Sequence, residues 1–213
     1  MRVLPYAALP PVAQCMERSQ SLAMLDAILS PEWEYRYYSF NSFWAPAQQM
    51  ASMRDGSGDH YFMLFVNDGV VAKFFDHELD DRRDDGNLSA ELRQIIPVRY
   101  HAFLSETAFS VDEVSSWAWF DAERQLWLRT LSDAPEVERR IDSLTQLLTS
   151  RQPRAYVDWA SEYFELDISL AAVEPIFEHE PLTEALVAAL NDELSLADVM
   201  DDSREIGYPV AAT

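Results

Sequence analysis

From residue 12 the apolar side chains of Val12, Cys15, Met16, Leu22, Leu25, Ile28 and Leu29 recur at steps of three and four, which places them on one face of a helix. A helix over 12–29 is predicted, ending at Ser30-Pro31 because proline disfavours helical geometry in the residue before it. Tyr35-Arg36-Tyr37-Tyr38-Ser39-Phe40 is rich in residues that suit a pleated, half-buried surface and reads as a strand. Two apolar runs, 60–66 and 70–77, then flank Asn67-Asp68-Gly69. Asp-Gly between such runs signals a hairpin, because a type I′ turn needs positive φ at both central residues. With Asp68-Gly69 as the turn, Val66 faces Val71, Phe62 faces Phe75 and His60 faces His77; a three-residue loop would shift the register and separate the histidines. Few polar residues interrupt either run, so both faces of this hairpin are expected to be covered.

Residues 79–89 read as a charged loop, and 90–103 as a short helix broken at Pro97. Ser110 and Glu113 have capping-box spacing. A second pair of strands is expected at 114–120 and 125–131, with Trp117 and Trp119, two apart, on one sheet face. From Val137 onward the period is helical: Val137, Ile141, Leu144, Leu147 and Leu148, then Tyr156, Trp159 and Phe164, then Leu182, Leu186 and Leu190. Strands early and helices late predict an α+β fold with an antiparallel sheet around the central hairpin, since parallel sheets alternate strand and helix. A single domain is expected over 1–213, strand-rich at 31–131 and helix-rich at 136–200.

Composition agrees with a globular chain: of 213 residues, 48% are hydrophobic and 25% charged, enough for one substantial core. The lone Cys15 excludes an internal disulfide and fits a reducing, cytoplasmic setting. Three prolines interrupt the apolar stretch of residues 1–15, so it does not read as a secretory leader, and no run approaches the roughly 18 apolar residues needed to cross a bilayer. Charge changes the picture most. The net charge is −21, and residues 156–213 hold 14 Asp/Glu against Arg204 alone, or −13, leaving −8 for the rest. Such a field repels nucleic-acid phosphates and anionic lipid and attracts a basic protein partner.

Candidate chemistry gathers just before the hairpin, in residues 50–60. Gly56-Ser57-Gly58 has the look of a serine-nucleophile motif, but a nucleophile elbow leaves a strand whereas this segment enters one, so a tight turn is the economical reading. It is neither a phosphate loop nor a dinucleotide fingerprint, and no cofactor is implied. Arg54, Asp55, Ser57, Asp59, His60, His77 and Glu78 form the candidate ligand-binding set. Within it, His60 and His77 with Asp59, Asp76 and Glu78 offer imidazole and carboxylate ligands for a divalent metal, or Arg54 acts as an anion clamp beside acid-base partners. His101 and His179 lack a partner at useful spacing and read as structural. The aromatic groups Tyr35, Tyr37, Tyr38, Phe40, Phe43, Trp44 and Trp117, Trp119, Trp127 suit either a groove or core packing.

The run Tyr37-Tyr38-Ser39-Phe40-Asn41-Ser42-x-Trp44, then Met50-Ala51-Ser52-Met53-Arg54-x-Gly56-Ser57-Gly58-Asp59-x-Tyr61-Phe62, then Phe75-x-His77-Glu78, resembles a family of uncharacterised, mostly bacterial proteins. The likeness extends through Tyr156-x-x-Trp159-Ala160-x-x-Tyr163-Phe164 and implies no known activity. The chain departs from that pattern in its charged stretch 79–89, where many members carry a Pro-containing loop. Two functions are therefore expected: a non-enzymatic, acidic interaction protein of immunity or accessory type, or a small enzyme or ligand-binding domain built on Arg54, Asp59, His60 and His77.

Overall fold

A computed structural model describes residues 2–67, 69–79, 87–110, 113–131 and 135–212. Its centre is a seven-stranded sheet in the order β1-β7-β6-β5-β4-β3-β2, every neighbouring pair antiparallel. The strands are β1 Arg2–Pro5, β2 Tyr38–Ala45, β3 Gln48–Arg54, β4 His60–Val66, β5 Gly69–Phe75, β6 Ser116–Asp121 and β7 Leu126–Leu131. From β2 to β7 the sheet is a meander in chain order, and β1 adds to the free side of β7.

One sheet face, carrying Tyr61, Met63, Phe65, Val70, Ala72 and Phe74, packs on helix α1 (Val12–Leu29) and the C-terminal helices. The other, carrying Phe62, Leu64, Val66, Val71, Trp117 and Trp119, lies under α2 (Asn87–Ile95) and three short 3-10 turns between Val98 and Phe109. Trp117 and Trp119 do share a face, and every residue of β4 is buried, as the unbroken apolar run implied.

The outer layer on the first face is α3 (Pro135–Leu144), α4 (Gln146–Thr149), α5 (Pro153–Tyr163), α6 (Leu170–Phe177), α7 (Glu184–Leu190) and α8 (Met200–Ile206). α1 packs on the sheet at β2 and β3 and on α4, α6, α7 and α8 around its other sides, so every residue from Arg18 to Leu29 is buried, not one face alone. Its polar side chains reach the outer layer: Gln20 Nε2 donates to the Ile206 carbonyl at 3.0 Å, Arg18 Nη1 to the Ser150 carbonyl at 3.2 Å, and Ser21 Oγ lies 3.2 Å from His179 Nδ1. These bonds satisfy groups whose burial would otherwise cost free energy. Among the described residues no helix is long and apolar enough to cross a membrane.

The structure corrects two expectations. Val66 pairs with Gly69, so His60 faces Phe75 and not His77. Among the described residues of the turn, Asn67 is left-handed, at φ 40°. Gly69 belongs to the strand, and a Cβ there would collide with the Tyr100 hydroxyl, which donates to the Phe120 carbonyl at 3.1 Å. The glycine serves a close approach of side chain to sheet, not the turn. The polar segment is also partly strand: β3 runs to Arg54, whereas Tyr35 lies in a 3-10 turn (Trp33–Tyr35) ahead of β2. Of the predicted charged loop, residues 80–86 lie outside the described residues, as do 111 and 112 of the capping-box segment.

Candidate functional site

Strand direction brings most of the candidate residues to one end of the sheet, where β3 ends, β4 begins and β5 ends. The 55–59 loop is closed by its own first residue. Asp55 Oδ1 accepts from the backbone N–H of Ser57, Gly58 and Asp59 at 2.9, 3.0 and 2.9 Å, and the Ser57 hydroxyl donates to Asp55 Oδ2. Asp55 and Ser57 are thus engaged in the turn, as the tight-turn reading of Gly56-Ser57-Gly58 requires. Gly58, at φ 125°, lets the loop close over His77, to which a Cβ there would approach within 3.3 Å.

The two histidines do not pair, since His60 faces Phe75, and they sit in opposite electrostatic settings. His77 donates from both its backbone N–H and Nδ1 to Asp59 Oδ1, at 2.8 and 2.7 Å, which fixes the tautomer. The Asp59 carboxylate beside it raises the imidazole pKa above its ordinary value. His60 donates Nδ1 to the Gly58 carbonyl at 3.1 Å, while its buried Nε2 has no hydrogen-bond partner and stands 3.9 Å from Glu113 Oε2. Burial, then the nearby Lys73 ammonium, pushes its pKa down. Lys73 is itself fully buried and donates to the backbone carbonyls of Ser110 and, at 2.6 Å, Glu113.

Beside His77 lies a residue that local sequence reasoning does not find. Arg140, from α3, donates Nε to buried Asp76 at 2.5 Å and Nη1 to Glu78 at 2.7 Å. Asp59, Asp76 and His77 each offer a ligand atom within 4.8 Å of the others, a set able to take a divalent cation. Such an ion would compete with Arg140 for Asp76 and with the Asp59–His77 bond. Arg54 joins none of this: its half-buried guanidinium stacks 4.5 Å from the Trp33 ring centroid, and burial lowers its pKa.

A second polar group has a signal in the sequence, a lone carboxylate within Met24-Leu25-Asp26-Ala27-Ile28. Asp26 is fully buried; Oδ2 accepts from the N–H of Tyr37 and Tyr38 at 3.0 and 2.7 Å, and Oδ1 from the Tyr156 hydroxyl at 2.7 Å. It joins α1, β2 and α5 beneath a ring cluster in which Trp159 stacks on Tyr163 at 5.1 Å and Tyr37 meets both. His101 and His179 are held by the Ile96 carbonyl and Ser21. Compared with family models, with curated proteins and with solved structures, the chain matches none.

Proposed function

We propose that this chain is a non-enzymatic interaction protein whose acidic helical face docks a basic protein partner. One observation carries the reading. Every Asp and Glu from 158 to 205 is exposed except Asp202, which Arg36 holds at 2.5 Å. Among the described residues, the only other ion pairs in this stretch are Arg154 with Asp158 and Arg204 with Asp201, both at the surface. Exposed pairs of that kind contribute little, so the outer helices present an anionic surface able to steer a cationic partner and to repel nucleic acid and anionic lipid. The buried free thiol of Cys15 supports a reducing, cytoplasmic setting.

The test uses two baits in capture from the source cells, the natural chain and one with Glu162, Glu165, Glu174 and Glu193 changed to Lys. A basic protein should be retained by the first at low salt, released at high salt, and lost from the second. Recovery of the same proteins on both baits would sink the proposal.

The grouping of Asp59, Asp76 and His77 favours a second reading, a small ligand- or metal-binding domain with His77 as its base or ligand. On that reading the purified protein retains about one equivalent of zinc or manganese, and Asp59→Asn releases it. No retained metal, together with no shift in melting temperature on adding either ion, would end it.

A further inference from the structure

We infer that the docking face is centred on the exposed rings of Trp33, Tyr35 and Tyr163, and that what it takes is an arginine-rich segment. The inference rests on the docking reading above and narrows it to a place and a chemistry. Large rings are ordinarily buried, yet Trp33 is 55% exposed, Tyr35 61% and Tyr163 41%. Trp33, under the Arg54 guanidinium, and Tyr163 are also held in place, and the turn that carries Tyr35 is fixed. The Trp33–Tyr35 turn is clamped by buried Arg36, which donates to the carbonyls of Ser30 and Pro31 at 2.9 and 2.7 Å and bonds both oxygens of Asp202 at 2.5 and 3.1 Å. Tyr163 is stacked on Trp159 and meets Tyr37 edge-on at 5.2 Å. Rings fixed before contact lose little freedom on binding, which is why Trp and Tyr anchor interfaces.

Arg54 links the two sides of the patch: its guanidinium stacks on Trp33, and its backbone N–H donates at 2.8 Å to the carbonyl of Tyr37, whose ring meets Tyr163. Arg54 also shows the mode of recognition: the indole face already takes a guanidinium. Exposed Glu32 and Glu34 alternate with Trp33 and Tyr35, and exposed Glu162 and Glu165 flank Tyr163. A partner's guanidinium groups can therefore stack on a ring and pair with a carboxylate together, which planar arginine does better than the compact lysine ammonium. A second copy of this chain does not fit, since it would bring one −21 surface against another.

The experiment uses the full chain and two capped peptides of equal charge, hexa-arginine and hexa-lysine, titrated by calorimetry at low and high salt. The arginine peptide should bind at least about threefold tighter. Trp33→Ala with Tyr35→Ala should bring it down to the lysine peptide's affinity while leaving the latter and the circular dichroism spectrum nearly unchanged; Tyr163→Ser checks the other side of the patch. Equal affinity for the two peptides, or an arginine preference that survives all three substitutions, overturns the inference. If the peptides bind equally and the four-lysine bait loses both, this inference falls and the docking reading stands. If neither peptide binds at low salt, the docking reading falls with it.

Discussion

Asp26 shows how one side chain can both hold the fold and make it depend on pH. Burial pushes its pKa up to about 7, against the lowering effect of the Tyr156 hydroxyl and the Tyr37 and Tyr38 amides. The folded protein therefore keeps a proton that the unfolded chain, with an ordinary carboxyl near ~4, has released. The resulting stabilisation is complete below the unfolded pKa and is lost as pH rises through about 7. Urea unfolding between pH 4 and 8 should show stability falling across that window, and Asp26→Asn should flatten the slope. The amide can still accept from the two backbone N–H groups and donate to Tyr156, whereas Asp26→Ala strands three donors and should cost about 3 kcal/mol or more. If the alanine variant proves as stable as the asparagine one, Asp26 is not the joint described. The residue was visible in the sequence as a charge inside an apolar run, but its partners were not: Tyr156 is 130 positions away.

Among the elements, those defined by a long unbroken period were legible. α1 spans the predicted residues 12–29, and the central hairpin and the β6–β7 pair stand where alternation of apolar runs and turn residues put them. β3 was missed because Met50-Ala51-Ser52-Met53 contains no β-branched or aromatic residue, so its strand character comes from pairing on both sides, with β2 and β4. The hairpin register failed for a tertiary reason: the Asp-Gly signal is local, while Gly69 answers to Tyr100 on another layer. Gly69→Ala should accordingly destabilise the protein by about 1–3 kcal/mol, the usual range for overpacking, and adding Tyr100→Phe should recover part of it by removing the clashing oxygen. Guanidinium unfolding of the two variants decides this; an alanine at 69 without cost would return that glycine to the turn.

Across the whole molecule, charge was the most legible property and the site the least. The −21 total and its C-terminal concentration are sums over the chain, whereas Arg140 reaches Asp76 across 64 positions and no spacing rule reveals that. Such an excess of one sign repels itself in the compact state. Raising sodium chloride from about 0.01 to 0.2 M shortens the screening length from about 30 Å to below about 10 Å, so the melting temperature should rise with salt, and less so in the four-lysine variant. A melting temperature indifferent to salt would mean that these carboxylates lie too far apart to interact. The position of α1 has a consequence for how the molecule is made. That helix is made before the outer helices, so Gln20 exchanges water for the Ile206 carbonyl only once a further 186 residues have followed it. The meander can pair strand by strand as it emerges, while α1 holds buried-type side chains open to solvent until the last helices arrive. The interval before that closure is when the nascent chain is most exposed to aggregation and most dependent on a chaperone.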